Sequence, residues 1–189
     1  MKTVGIILAG GLSSRFGSPK AFAKLDGQYF YKYAVQAISP HTDEIVIVTR
    51  TELVDRFPSG FKVITDDEAY MGCGPLAGIY SAMKMFDATR YIVLPCDMPY
   101  MNERFIGRLF TDYQASIVAV KTTSHHHPLV SIWRRNVFAK LEIALNNEQF
   151  RVVPFLDSVQ TKWVDAEKLT KHAEQVLKNI NHQIDLEKR

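Results

Sequence analysis

The chain has 189 residues, of which 47% are apolar and 23% charged, so it can form one domain with a substantial core and is not largely disordered. Its formal net charge of +3 excludes a strongly basic protein, and its two cysteines exclude a disulfide framework. No uncharged apolar run approaches the ~18 residues that span a bilayer, so we expect a cytoplasmic protein with a single domain over residues 1–189.

Short apolar runs alternate with segments of helical spacing along the chain. The continuous apolar run Val4–Ala9 predicts a strand buried on both faces. Further strands are predicted at Glu44–Thr49, Phe61–Thr65, Arg90–Leu94, Ser116–Lys121 and Leu129–Trp133. Helices are predicted at Tyr29–Ile38, Pro75–Phe86, Glu103–Tyr113 after an Asn102 cap, Val137–Leu145 after an Asn136 cap, and Ala166–Lys178.

This alternation of strands and helices favours parallel strand pairing with right-handed crossovers. We therefore predict an α/β fold, a three-layer α/β/α sandwich around a mostly parallel, Rossmann-like sheet. In open sheets of this kind, ligands bind outside the carboxyl ends of the strands. Residues that directly follow a predicted strand are therefore the first candidates for a functional site.

The loop after the first strand, residues 8–20, combines three glycines with Arg15 and Lys20. Glycines allow tight turns that bring backbone N–H groups close to an anion, and both cations suit phosphate oxygens. The loop fits neither the G-x-x-x-x-G-K-S/T nor the G-x-G-x-x-G pattern. Its position after a buried strand favours phosphate binding over the alternative, a flexible surface turn with solvated cations.

Acidic residues follow two other predicted strands. Asp97 lies between Pro95 and Pro99, where a carboxylate can hold the Mg2+ that accompanies a nucleoside triphosphate; a turn or helix-capping aspartate is the alternative. Asp66 and Asp67 follow an earlier strand. A carboxylate there can accept hydrogen bonds from two neighbouring N–H groups of a ligand, whereas a solvated acidic loop is the alternative.

The segment 72–78 is rich in glycine. Gly74 before Pro75 is typical of a helix start, and Gly78 lacks a side chain where another backbone or a base could approach. Tight helix packing explains Gly78 equally well. Cys73 is not a nucleophile candidate, because it has no matched His–Asp pair and phosphoryl-type transfer needs none.

Three motifs carry a family resemblance. They are Leu8-Ala9-Gly10-Gly11-x-Ser-x-Arg15-Phe16-Gly17-x-Pro-Lys20, Gly74-Pro75-Leu76-Ala77-Gly78 and Cys96-Asp97-x-Pro99. In this order they resemble the signatures of the molybdenum cofactor guanylyltransferases, which belong to the larger group of nucleotidyltransferases.

The resemblance implies a role for each matched residue. The implied catalytic residues are Arg15 and Lys20, which bind phosphates, and Asp97, which binds Mg2+. The implied nucleotide-binding residues are Leu8, Ala9, Gly10, Gly11, Lys20, Asp66, Gly78 and Asp97. Asp66 aligns with an aspartate that contacts guanine, and Asp67 is the alternative if the register slips by one residue.

The second half of the chain resembles the family more weakly. His127-Pro128-Leu129 and Arg151 resemble elements on the acceptor side, and Asn179 and Asn181 resemble an asparagine pair that lines the metal or acceptor pocket. The histidines at 125–127 are expected to form a polar loop, because neighbours in an extended segment point to opposite faces and cannot share one ion. We expect residues 1–100 to form the nucleotide-binding part and residues 101–189 the acceptor-binding part.

The family resemblance implies Mg2+-dependent transfer of GMP from GTP to the terminal phosphate of molybdopterin, with release of pyrophosphate. Implied partners are GTP, a molybdopterin-type cofactor, and other cofactor-biosynthesis proteins or recipient molybdoenzymes, without nucleic acid or membrane. A related nucleotidyltransferase that uses CTP or a sugar 1-phosphate is one alternative. A nucleotide-binding regulator without transferase activity is another.

Overall fold

The computed structural model describes residues 1–11, 16–110 and 114–181. Its strands are β1 (Thr3–Leu8), β2 (Lys24–Leu25), β3 (Gln28–Tyr29), β4 (Glu44–Val48), β5 (Lys62–Ile64), β6 (Arg90–Pro95), β7 (Ile117–Lys121), β8 (His126–Arg134) and β9 (Thr161–Asp165). Its helices are α1 (Phe30–Ile38), α2 (Pro75–Met85), α3 (Glu103–Leu109), α4 (Phe138–Asn146), α5 (Val152–Ser158), α6 (Ala166–Leu169) and α7 (Ala173–Val176). Within the described ranges, none of these helices is long and apolar enough to cross a membrane.

The central sheet has the strand order β5-β4-β1-β6-β8-β7-β9, while β2 and β3 form a separate hairpin. β5, β4, β1 and β6 pair in parallel, as do β7 and β9. β8 is antiparallel to both neighbours, because a short turn returns the chain directly from β7. The mostly parallel sheet is therefore confirmed, and the carboxyl ends of β1, β4, β5, β6, β7 and β9 share one edge. We call this the carboxyl edge.

Side chains along each strand alternate between two buried hydrophobic layers. In β6, Ile92 and Leu94 pack with α1 and α3, whereas Tyr91 and Val93 pack with α2 and α4. All four side chains are completely buried. This alternation with helices on both faces is the predicted three-layer sandwich, and it explains why the strands are apolar on both sides.

Most predicted element ends agree with the structure within a few residues. Asn102 caps α3 as predicted, since its Oδ1 accepts a hydrogen bond of 3.0 Å from the backbone N–H of Phe105. α3 ends at Leu109, short of the prediction, and residues 111–113 lie outside the described residues. β8 begins at His126, so the expected polar loop at 125–127 is wrong for its last two residues.

Other predictions in the second half are wrong. Asn136 lies inside a 3-10 turn before α4 and donates from Nδ2 to Ser116 Oγ at 3.1 Å instead of capping the helix. The single helix over Ala166–Lys178 is two short helices, α6 and α7, because the backbone is extended at Thr170. α5 and β9 were not predicted, and both are too short for a clear apolar period.

Candidate functional site

A cleft of about 650 Å³ opens at the carboxyl edge, beside the loops that follow β1, β4, β5 and β6. Its volume lies within the range of small-molecule sites. It is lined by every described residue of the predicted site: Leu8, Ala9, Gly10, Gly11, Lys20, Asp66, Gly78 and Asp97. Residues from four separate chain segments thus meet in one place. The predicted phosphate ligand Arg15 lies outside the described residues.

Lys20 and Asp97 form an ion pair at the floor of this cleft. Lys20 Nζ lies 2.9 Å from Asp97 Oδ2, and both side chains are mostly buried. Lys20 opens a 3-10 turn in which the next residue, Ala21, is packed in the core. Asp97 lies between the buried residues Cys96 and Met98, which fix the backbone on either side of it. Each charged side chain is therefore held by buried neighbours in its own loop.

Asn181 also contacts this ion pair. Lys20 Nζ donates to Asn181 Oδ1 at 2.6 Å, and the backbone N–H of Ile180 donates to the carbonyl of Asp97 at 2.9 Å. Ile180 is completely buried. The C-terminal segment thus brings a second side-chain oxygen to the same cation, while Asn179 does not line the cleft.

The oxygen atoms around Lys20 suit a hard divalent cation. Asp97 supplies a carboxylate and Asn181 an amide oxygen, and both already converge on one positive charge. In the described ranges, no cluster of three or more His, Cys, Asp or Glu residues forms a cage made by the protein alone. Mg2+ usually needs only one or two carboxylates when nucleotide phosphates supply the remaining oxygens. This set of residues therefore fits a metal that arrives with a nucleotide.

Asp66 and Gly78 form another part of the cleft lining. Asp66 Oδ2 accepts a hydrogen bond of 3.1 Å from the backbone N–H of Gly72. Burial raises the pKa of Asp66, and the Gly72 N–H opposes this shift. A Cβ at Gly78 would come within 3.2 Å of Leu8 Cδ2 and 3.4 Å of Asp66 Oδ1. The missing side chain therefore keeps α2 close to β1 and leaves Asp66 room in the cleft.

Asp67, the alternative to Asp66, forms its contacts outside the cleft. Its Oδ1 accepts a hydrogen bond of 3.2 Å from the backbone N–H of Ala69. Its Oδ2 lies 2.6 Å from Lys84 Nζ, and this contact lowers the pKa of Asp67. Asp67 does not line the cleft. The geometry therefore favours Asp66 as the carboxylate that faces a ligand.

The segment after β4 forms a wall of the cleft, although none of its residues is among the predicted site residues. Four consecutive residues line this wall: Thr49, Arg50, Thr51 and Glu52. Thr49 Oγ1 donates to the carbonyl of Ala9 at 3.3 Å, which links the wall to the loop after β1. These residues directly follow a strand, so the rule that selected Asp66 and Asp97 also selects them.

Leu129, which was predicted on the acceptor side, and Cys96 line the cleft, whereas the other cysteine and the other predicted acceptor-side residues do not. Burial raises the pKa of Cys96 to about 12, so its thiol stays protonated, and Cys73 does not line the cleft. His125 and His126 line a separate polar depression at the tip of the β7–β8 hairpin, and Arg151 is exposed before α5. The structure therefore does not bring Arg151 or the histidines to Lys20.

The fold and the cleft define an α/β enzyme of the nucleotidyltransferase type. Residues 5–159 match the MobA-like NTP transferase domain, and the chain belongs to this family.

Curated relatives agree with this assignment. The chain is 38% identical to a probable molybdenum cofactor guanylyltransferase of Geobacillus sp. (strain WCH70), over 95% of this chain and 94% of the relative. It is 36% identical to a protein of the same description from Bacillus subtilis (strain 168), over 98% of this chain and 93% of the relative.

Solved structures share the fold. Molybdopterin-guanine dinucleotide biosynthesis protein A from Archaeoglobus fulgidus superposes with a TM-score of 0.80 at 24% identity, over 97% of this chain and 95% of that chain. The 2-C-methyl-D-erythritol 4-phosphate cytidylyltransferase from Thermus thermophilus superposes with a TM-score of 0.69 at 11% identity, over 96% of this chain and 94% of that chain.

Proposed function

We propose that the protein transfers GMP from GTP to the terminal phosphate of molybdopterin and releases pyrophosphate. The observation that carries this proposal is the cleft beside the loops that follow β1, β4, β5 and β6. It places a glycine-rich loop, the Lys20–Asp97 pair and Asp66 around one space of suitable size. The names of the curated relatives indicate the substrates, and the residues of the cleft supply a physical reason for binding of the nucleotide.

Base selection is assigned to Asp66. An ionised carboxylate accepts hydrogen bonds from both N1–H and the exocyclic amino group of guanine. Adenine has an acceptor at N1 and no amino group at C2, so it cannot form this pair. Gly78 lets α2 pack against Leu8 and Val48 beside Asp66, so that no side chain of α2 crowds the carboxylate that is assigned to the base.

Phosphate binding is assigned to Lys20, to Arg15, and to the main chain of the glycine-rich loop at Gly10 and Gly11. An oxygen of the acceptor phosphate attacks the α-phosphorus, and the bond from that phosphorus to the bridging β-phosphate oxygen breaks. The acceptor is already an anion, so no general base is required. The cations lower the barrier by holding two polyanions together and stabilising charge on the phosphate oxygens.

Asp97, with the amide oxygen of Asn181, is proposed to hold Mg2+. When bound, the ion would neutralise part of the triphosphate charge. Lys20 exchanges its contacts with these two oxygens for phosphate oxygens when the nucleotide binds. We further propose that the reaction takes place in the cytoplasm and that the product passes to other cofactor-biosynthesis proteins or recipient molybdoenzymes.

The experiment is a comparison of GTP, ATP, CTP and UTP with Mg2+ and molybdopterin, measured as pyrophosphate release and dinucleotide formation. We expect turnover with GTP to exceed that with each other nucleotide by about 100-fold or more, because a buried polar site rejects bases that leave it unpaired. Preference for CTP, or turnover with a sugar 1-phosphate instead of molybdopterin, would indicate the related transferase. GTP binding without pyrophosphate release would indicate a regulator.

A further inference from the structure

A small group of buried apolar side chains lies apart from the two main hydrophobic layers. Its members come from the loop after β1, the β2–β3 hairpin, the start of α1 and the C-terminal segment: Phe16, Ala23, Leu25, Phe30 and Ile180. We call this group the loop cluster. Phe30 and Ile180 are completely buried, and the rings of Phe16 and Phe30 pack edge to face with their centroids 6.2 Å apart. The loop cluster is therefore a packed unit of its own.

The loop cluster holds the chain on both sides of Lys20. Phe16 precedes Lys20 in the loop after β1, and Ala23 follows it. The backbone N–H of Ala23 donates to the carbonyl of Lys20 at 3.0 Å and closes the 3-10 turn that Lys20 opens. The backbone N–H of Phe30 in turn donates to the carbonyl of Ala23 at 2.9 Å. The position of Lys20 thus depends on how the loop cluster is packed.

Ile180 connects the loop cluster to Asp97. Its side chain belongs to the loop cluster, whereas its backbone N–H donates to the carbonyl of Asp97 at 2.9 Å. The next residue, Asn181, accepts a hydrogen bond of 2.6 Å from Lys20 Nζ. Ile180 itself does not line the cleft. A residue outside the cleft therefore supports both members of the Lys20–Asp97 pair, which belong to loops after two neighbouring strands.

A role in folding alone does not explain why one side chain joins these loops. The sheet and its helices are held by the two main layers, to which neither Ile180 nor Phe16 belongs. Removal of the Ile180 side chain would leave those layers intact and open a cavity beside the loop that carries Lys20. In a site that works by holding charges in place, a displacement of about 1 Å can lower the rate about 100-fold. The main effect of such a cavity therefore falls on the site.

We propose that Ile180 is a positioning residue, which holds Lys20 and Asp97 at the separation that the triphosphate, its metal ion and the transition state require. This inference rests on the proposed function and adds to it a residue that acts only through others. The buried side chain fixes the loop that carries Lys20, and the backbone N–H fixes the peptide of Asp97. The C-terminal segment thereby sets the geometry of two loops that are distant from it in the chain.

This role makes a prediction that a purely structural role does not make. Loss of the Ile180 side chain should lower kcat, because the charges that stabilise the transition state are no longer fixed. The preference for GTP over ATP should stay the same, because the residue assigned to the base, Asp66, lies in another part of the cleft lining. A general loss of stability would instead affect all nucleotides and all parts of the fold.

The test compares Ile180→Ala and Ile180→Val with the wild type. Alanine removes the packed side chain and keeps the backbone N–H, whereas valine keeps the branched shape and loses one methylene group. Ile106→Ala and Ile106→Val are the matched controls, because Ile106 in α3 is also completely buried but belongs to the layer of α1 and α3. The measurements are the midpoint of urea unfolding, hydrogen exchange of the nucleotide-free protein, and kcat and KM for GTP and ATP with Mg2+ and molybdopterin.

We expect Ile180→Ala to lower kcat about ten-fold or more with an unchanged preference for GTP over ATP. Ile180→Val should lower kcat less than Ile180→Ala, but more than Ile106→Val does. In the nucleotide-free protein, Ile180→Ala should accelerate hydrogen exchange within residues 16–25 and 95–99, because both segments lose their anchor. Ile106→Ala should keep a kcat close to that of the wild type and leave exchange in these two segments unchanged.

A folded Ile180→Ala variant with wild-type kcat would overturn the positioning role, as would equal losses of kcat in Ile180→Ala and Ile106→Ala. If an alanine variant fails to fold, the same comparison between the two valine variants decides the question. Failure of the wild type to turn over GTP would instead overturn the proposed function. The hydrogen-exchange comparison needs no nucleotide, so it would still show whether Ile180 holds the two loops.

Discussion

Lys20 Nζ and Asp97 Oδ2 lie 2.9 Å apart although 77 positions separate the two residues in the chain. The contact joins the loop after β1 to the loop after β6, and these two strands pair directly in the sheet. Asn181 also accepts a hydrogen bond from Lys20 Nζ, so the beginning, middle and end of the described chain meet at one cation. Activity should therefore respond sharply to changes at this position.

Lys20→Ala should lower the rate of guanylyl transfer by a factor on the order of 10²–10³, because it removes a fixed positive charge from developing phosphate charge. The measurement is steady-state pyrophosphate release with GTP and molybdopterin, with the fold checked by circular dichroism. Lys62→Ala is the matched control, since Lys62 pairs with Glu44 at the opposite edge of the sheet. A folded Lys20→Ala variant with wild-type kcat would remove Lys20 from the catalytic set.

Asp66→Asn should change the base preference from guanine towards xanthine. The amide oxygen of asparagine still accepts from N1–H, but its amino group now faces the position of the guanine N2 amino group. Xanthine carries an acceptor oxygen there, which complements the new donor. We expect GTP affinity to fall about ten-fold or more and XTP affinity to rise. Equal losses for GTP and XTP would show that Asp66 does not read this edge.

The pH dependence of GTP binding should reflect the raised pKa of Asp66. Only the ionised carboxylate accepts both hydrogen bonds, so GTP affinity should begin to fall at a higher pH than an ordinary aspartate would give. The measurement is the dissociation constant as the pH is lowered, compared with Asp66→Asn to subtract titration of the phosphates. Identical pH profiles for the wild type and Asp66→Asn would contradict the assignment.

The same pKa shift predicts that folding stability and GTP affinity change with pH in opposite directions. Between the ordinary and the raised pKa of Asp66, the folded protein binds more protons than the unfolded chain, so its stability falls as pH rises through this window. At neutral pH the ionised Asp66 therefore destabilises the nucleotide-free protein. Asp66→Asn should raise the midpoint of urea unfolding at pH 7 while it weakens GTP binding. A lower midpoint would contradict this reasoning.

Gly78→Ala should damage nucleotide binding more than stability. The new Cβ would press on Leu8 and Val48, which both line the cleft, while the better helix propensity of alanine offsets up to about 1 kcal/mol of the strain. We expect the KM for GTP to rise about ten-fold with a change in unfolding free energy of less than ~1 kcal/mol. Gly107→Ala in α3 is the matched control, because its Cβ would meet only the ring of His41. Equal KM values for GTP in Gly78→Ala and Gly107→Ala would contradict this prediction.

The sheet and most of the cleft could be predicted from the sequence because their signals are local. Continuous apolar runs mark β1 and β6, and the carboxyl-edge rule then selects Asp97 and Asp66. Lys20 is identified by its place at the end of the glycine-rich motif that follows β1. These inferences need no knowledge of distant contacts, and the structure brings the three residues to one cleft.

The remainder depends on contacts between distant segments. The hydrogen bond from Lys20 Nζ to Asn181 Oδ1 spans 161 positions, so no apolar period predicts it, and only the family resemblance of Asn181 indicated this pocket. Arg50 lies two positions after the end of β4 and thereby beside Asp66, a neighbourhood that only the pairing of β4 with β5 reveals. The helix predicted at Ala166–Lys178 fails for a similar reason, since packing of α6 and α7 under the sheet overrides the helical composition.

The most direct measurement follows radioactive phosphorus from GTP, labelled at either the α- or the γ-phosphate, into the molybdopterin product in the wild type, Asp97→Asn and Asp43→Asn. Asp43 is the matched control, because its carboxylate accepts a hydrogen bond from the backbone N–H of Thr3 at the opposite edge. We expect α-label in the product and γ-label in pyrophosphate for the wild type and Asp43→Asn, with transfer reduced about 100-fold or more in Asp97→Asn. Transfer of γ-label, or full α-label transfer by folded Asp97→Asn, would contradict the assigned reaction and its metal-binding carboxylate.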